Sequence, residues 1–264
     1  MGRISLEQGA IAYLETGTQA RARLPILFLH GVGSDKSVWT PQLEHFGQQR
    51  RAVAFDYPGY GESAPREGAD RDDFAAAIVE AMDALGIDRA HFCGLSLGGI
   101  VAIAMHHHAP DRCASLILAD SFARHPDGQA IYDRSVVAST SMTMRALAEA
   151  RAPALLGTAA SATVRSEVVA TMTAIDPVAY RQGADAVWLA DQRDRAAAVG
   201  VPTLVLCGEE DRITPPALSE ELAALIPGAQ LAIIHGAGHL ANIEQPGAFN
   251  AMMDHFLAAV ERNH

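Results

Sequence analysis

The sequence predicts an α/β fold: a mostly parallel sheet flanked by helices, with a helical segment inserted before the last two strands. Three observations predict it. Short apolar runs of strand length recur along the chain, and helical patterns separate most of them. Residues 122–198 interrupt that alternation with helical patterns and no strand.

The N-terminal stretches RISLEQG and AIAYLETG alternate in polarity and read as a hairpin joined at Gln8–Gly9. LPILFLHG is a continuous apolar run, as a strand buried on both faces requires. RAVAFDYPG, RAHFCGLS, CASLILADS, VPTLVLCGEED and AQLAIIHGAGH repeat that pattern. SVWTPQLEHFGQQ follows the first buried run as a helix. RDDFAAAIVEAMDALGI follows the second, with Phe74, Ile78, Met82 and Leu85 at helical spacing and Gly86 as a stop. SLGGIVAIAMHHHAP follows the third, and PPALSEELAALIPG and PGAFNAMMDHFLAAVE complete the set. In the interruption, MTMRALAEARAPALL, SEVVATMTAI and PVAYRQGADAVWLADQ are helical, broken at Pro153 and Pro177. Residues 1–121 and 199–264 are thus expected to form the core, and 122–198 a helical lid over the strand ends.

The 264 residues are 49% hydrophobic and 19% charged, enough for a large core. A net charge of −11 argues against nucleic acid or an anionic membrane as partner. It leaves an anionic small molecule open, because a site can collect arginines locally. Cys93, Cys113 and Cys207 are odd in number, widely spaced and set in or beside apolar runs, so they read as buried thiols. The N-terminus lacks a signal-peptide core, and Leu6 stands where a myristoylation signal needs Ser or Thr. No apolar run reaches membrane-spanning length. A cytoplasmic protein is expected, with a homodimer left open. His106, His107 and His108 are consecutive on a helix, point in different directions and make a poor metal site. Neither a zinc pattern nor a dinucleotide fingerprint is present, so neither metal nor cofactor is expected.

Ligands of a parallel sheet bind outside the carboxyl ends of its strands. Those ends here carry His30-Gly31-Val32-Gly33, Asp56, Gly94-Leu95-Ser96, Asp120-Ser121, Glu209-Glu210-Asp211 and Gly236-Ala237-Gly238-His239. Gly94-Leu95-Ser96-Leu97-Gly98 fits G-x-S-x-G, in which a serine sits on a strained strand-to-helix turn and its neighbours two residues away must lack side chains. Serine needs a base, and His239 in its glycine-rich loop is the best candidate. The base needs a carboxylate; Asp211 gives the order Ser…Asp…His, with Asp120 as competitor. Backbone N–H groups of Leu97 and Val32 are the expected oxyanion hole, and His30 and Gly31 of the same loop are candidate substrate contacts. Arg124 and Trp188, together with Arg134, Arg145, Arg151 and Arg181, are candidate substrate contacts from the inserted segment.

The stretches HGVGSDKSVW, FDYPGYGES, GLSLGG, GEEDRITPP and GAGHLANIEQP resemble the α/β-hydrolase superfamily over essentially the whole chain. Within it, GLSLGG with AGHLANIEQPGAFN is most similar to 3-oxoadipate enol-lactonases and related esterases. The resemblance implies the α/β-hydrolase fold and a cofactor-free serine hydrolase of a small-molecule ester or lactone, acting through an acyl-enzyme. Three other activities of the same scaffold stay open: carbon–carbon bond hydrolysis of the meta-cleavage type, a cofactor-free perhydrolase or haloperoxidase, and a slow-turnover ligand receptor.

Overall fold

The computed structural model describes residues 1–7, 9–18 and 23–262. Gln8, half of the expected hairpin turn, lies outside the described residues. The strands are β1 (Gly2–Leu6), β2 (Gly9–Thr16), β3 (Ile26–Leu29), β4 (Ala52–Phe55), β5 (Ala90–Leu95), β6 (Cys113–Ala119), β7 (Thr203–Gly208) and β8 (Gln230–Ile234). They form one sheet in the order β1-β2-β4-β3-β5-β6-β7-β8. β1 and β2 pair antiparallel, as does β2 with β4; every pair from β4 to β8 is parallel. The polar alternation of the first two strands suits that edge, because their outer face is partly solvated.

The inner strands are buried along their whole length, which explains their unbroken apolar runs. Successive side chains serve opposite faces. Leu27, Leu29, Val53 and Phe55 join one core, while Ile26, Phe28, Ala52 and Ala54 join the other.

The helices before β6 are α1 (Thr40–Phe46), α2 (Arg71–Ala84) and α3 (Leu97–His108). Asp70 caps α2 in a reciprocal box with Asp73, which fixes its start. Between β6 and β7 run α4 (Gly128–Ser141), α5 (Met144–Leu155), α6 (Ala162–Thr173), α7 (Pro177–Trp188) and α8 (Arg193–Ala197), with no named strand among the described residues. Pro153 does not break α5 but sits in its last turn, where the helix ends two residues later. Pro177 opens α7 behind an Asp176 cap, the position where a missing N–H costs nothing. An isolated bridge between Arg124 and Asp191 joins the two ends of this insertion. The chain closes with α9 (Pro216–Leu225), α10 (Ala241–Glu244) and α11 (Pro246–Arg262). No described helix is long and apolar enough to cross a membrane.

Register fixes the site. Leu29 pairs with both Phe55 and Gly94, Leu95 pairs with Ala119, and Ala119 pairs with Leu206. The residues that follow, His30, Asp56, Ser96 and Asp120, therefore leave the sheet along one edge.

Candidate active site

Ser96 links β5 to α3 at φ +55° and ψ −114°, a left-handed conformation unusual for a side chain with a Cβ. Its surroundings demand it. A Cβ on Gly94 would lie 2.1 Å from the Gly98 carbonyl oxygen, and one on Gly98 would lie 2.0 Å from that of Leu29. Gly99 allows α3 to press on Ser121, whose hydroxyl donates to the Ser96 carbonyl at 2.9 Å. Ser96 N–H donates to Ala119 O at 2.9 Å, tying the corner to β6. The Ser96 hydroxyl is buried and has no hydrogen-bond partner among the described residues.

His239 follows β8 in a loop and is also buried. Its Nδ1–H donates to Asp211 Oδ2 at 2.8 Å, the tautomer that a carboxylate partner selects, leaving Nε2 for other chemistry. Asp211 follows β7. Its Oδ1 accepts from the Ile213 and Thr214 N–H groups at 2.8 and 3.0 Å, and its Oδ2 also accepts from the Thr214 hydroxyl at 2.7 Å. Burial alone would raise the Asp211 pKa, but the His239 imidazole beside it and these donors outweigh it and hold the carboxyl low.

Ser96 and His239 share the wall of one cavity of about 490 Å³. Gly31, Val32, Arg151 and Trp188 also line it, within a mostly apolar surround. Leu97 opens α3 beside Ser96, so its amide is one of the helix's unpaired N-terminal donors.

Two candidate contacts stand elsewhere. Arg124 is half exposed, pairs with Asp191 across the neck of the insertion, and is absent from the cavity wall. His30 is fully buried beneath the loop, its ring 4.4 Å from that of Tyr57 and 4.9 Å from that of Tyr60, and its Nδ1 bonds Gly31 O. Burial lowers its pKa, so it is a neutral support for the loop. Among the other arginines, Arg145 pairs with Glu149, and neither Arg145 nor Arg181 lines the cavity.

The family model for the alpha/beta hydrolase fold matches residues 25–246. The chain belongs to the alpha/beta hydrolase family. It is 27% identical over 238 residues to 3-oxoadipate enol-lactonase 1 of Acinetobacter baylyi, covering 89% of each chain. It superposes on the enol-lactonase of Burkholderia xenovorans LB400 with a TM-score of 0.88 at 28% identity, covering 97% of this chain and 100% of the other. A malate-bound thermophilic esterase from Thermogutta terrifontis gives 0.91 at 29% identity, covering 99% and 100%.

This alpha/beta hydrolase holds further polar residues at the site, among them Asp120, the competing acid of the sequence. Asp120 is fully buried at φ +47°; its Oδ1 accepts from Gly208 N–H at 2.7 Å and its Oδ2 has no hydrogen-bond partner among the described residues. Burial and the neighbouring Asp211 charge push its pKa well up, which favours its neutral form. The Thr214 hydroxyl lies within bonding distance of Asp211, the Asp120 carbonyl and His239 Nδ1, spanning the pair. Asp120, Cys207 and Asp211 offer ligand atoms within 4.8 Å of one another. They suit a metal poorly, because Asp211 is committed to His239 and backbone donors and burial pushes the Cys207 thiol up. Glu244 accepts from Gly238, Leu240 and Gly157 N–H groups, and His239 N–H donates to Leu155 O at 2.9 Å. These bonds bind the end of α5 to the histidine loop. Only a lone acid in GHLANIE hinted at this.

Proposed function

We propose that this chain is a serine hydrolase that cleaves a carboxylic ester or lactone of a small molecule through an acyl-enzyme. The observation that carries the proposal is the Ser96 hydroxyl. It sits unpartnered on a strained corner and on one cavity wall with His239, whose far nitrogen is held by Asp211.

Ser96 Oγ attacks the acyl carbon while His239 Nε2 takes its proton, and Asp211 stabilises the resulting imidazolium. The carbonyl electron pair moves onto oxygen, where the Val32 and Leu97 N–H groups receive it. As the intermediate collapses, the bond to the leaving oxygen breaks and His239 returns its proton there. Water then adds to the acyl-enzyme, giving up a proton to His239; the bond from the acyl carbon to Ser96 Oγ breaks, His239 returns that proton to Oγ, and the acid leaves. Each step uses side chains and backbone groups alone. Helices α4 to α8 act as the lid, since Arg151 and Trp188 from this insertion complete the cavity wall. The similarity to an enol-lactonase and an esterase supports the bond type.

The test is Ser96→Ala. It is expected to keep the wild-type melting curve and lose hydrolysis of p-nitrophenyl acetate, while a fluorophosphonate labels Ser96 in the wild type. Full turnover in the variant would overturn the assignment. Absence of rapid turnover in the wild type would favour a receptor on this scaffold.

A further inference from the structure

Three arginines meet at a second cavity of about 300 Å³: Arg134 from α4, Arg151 from α5 and Arg212 from the loop after β7. Arg151, Trp188 and Ile213 line both this cavity and the one holding Ser96, so the two are adjoining chambers. Among the described residues, no carboxylate lies within salt-bridge distance of these three guanidinium groups. Elsewhere in the insertion Arg145 pairs with Glu149, and Arg124 and Arg193 with Asp191, while Arg165 and Arg181 line neither chamber.

A second observation is independent of charge. Trp188 is buried at 2% exposure, yet its Nε1 has no hydrogen-bond partner among the described residues. An indole N–H is a donor only, and leaving one buried and unmatched is destabilising. Phe122 stacks on the indole, with centroids 5.9 Å apart and planes 11° apart, which restrains its plane at the junction of the chambers.

We propose that the second chamber binds an anionic group, carboxylate or phosphate, at the far end of the substrate whose acyl carbon lies over Ser96. Guanidinium forks match both oxyanions in geometry. The inference rests on the serine-hydrolase assignment for the reaction, but not for the binding. Arg134 and Arg212 are exposed at the surface, so Arg134→Gln/Arg212→Gln is expected to fold.

Two ester pairs test it at fixed ionic strength. p-Nitrophenyl hydrogen glutarate is compared with its methyl ester, and 4-acetoxybenzoate with its methyl ester. These place the anion on the acyl or the alcohol side. The wild type is expected to prefer the anionic member of at least one pair by tenfold or more in kcat/KM. The double variant is expected to lose that preference by at least tenfold, mainly through KM. A wild-type ratio near one for both pairs, or a ratio unchanged in the variant, overturns the proposal. Calorimetric titration of inorganic phosphate and of succinate into Ser96→Ala separates binding from chemistry. Saturable binding, weakened at least tenfold by adding the two Gln substitutions, supports the chamber even if no ester is turned over. Equal affinity with and without those substitutions overturns it. Tighter phosphate or tighter succinate tells which oxyanion the chamber favours.

Discussion

Replacing Lys36 with Met should destabilise the protein far more than loss of a surface charge. Lys36 is 4% exposed and Asp56 is fully buried. The ammonium donates to Asp56 Oδ2 and to Glu62 Oε2, both at 2.6 Å. Lys36 N–H donates to Asp56 Oδ1 at 2.8 Å, and Glu62 N–H to Oδ2 at 3.1 Å. Burial alone would lower the Lys36 pKa, but the bonds to Asp56 and Glu62 outweigh it and raise the value. Glu62 is half exposed, so the magnitude comes from the Lys36–Asp56 pair. Removing one partner of a buried pair costs about 3–5 kcal/mol, because the other charge stays behind uncompensated. At about 2–4 °C per kcal/mol for a chain near this size, Tm should fall by about 6–20 °C. Lys36→Met/Asp56→Asn removes both charges and keeps an oxygen for a backbone donor, so it should melt above Lys36→Met. The pair also pins the loop carrying Val32 to the end of β4, so kcat should fall in the single variant at temperatures where it remains folded. Thermal unfolding of the two single variants and the double variant, read as a double-mutant cycle, measures the coupling. A Tm for Lys36→Met within 2 °C of wild type, or strictly additive effects, would refute the reasoning.

Two further predictions concern carboxyl groups. Asp211→Asn should lower kcat by about 10⁴-fold, because the amide no longer selects the productive tautomer; Asp120→Asn, replacing an acid whose neutral form burial favours, should leave kcat at pH 7 within about threefold. A collapse of kcat in Asp120→Asn like that in Asp211→Asn would show that Asp120 works as a charged group. At the opposite end of the sheet, burial would raise the Glu261 pKa, but His91 and Arg50 overcome it and pull the carboxyl down to about 2. A folded pKa below the unfolded one contributes stability above the unfolded value that is lost as pH falls through the folded one. Unfolding free energy should therefore decline between about pH 4.5 and 2, and Glu261→Gln should flatten that decline in acid denaturation.

The sheet was legible because buried strands leave apolar runs whose two faces serve two cores, as Ile26–Leu29 and Ala52–Phe55 do. The serine corner was legible because glycines at 94 and 98 stand where a Cβ would meet backbone oxygen. Arg124 and His30 were not, since their surroundings depend on contacts between segments remote in sequence: Asp191 for one, Tyr57 and Tyr60 for the other. The helix α4 escaped notice because its buried positions include Gly128, Ser135 and Ser139, which give no apolar period. Glu244 is half-buried among amides of three separate residues, and no local pattern announces such a partner.

The bonds from Leu155 to His239 and from Gly157 to Glu244 make the inserted helices and the histidine loop one mechanical part. Thr158, which bonds Glu210 just before Asp211, extends that part to the acid. Swinging α5 outward as a flap would drag the imidazole with it, so widening the entrance and misaligning the base are a single motion. A chimera that borrows another helical segment must therefore keep residues 155–158 with the native sheet, or it will exchange reactivity along with selectivity.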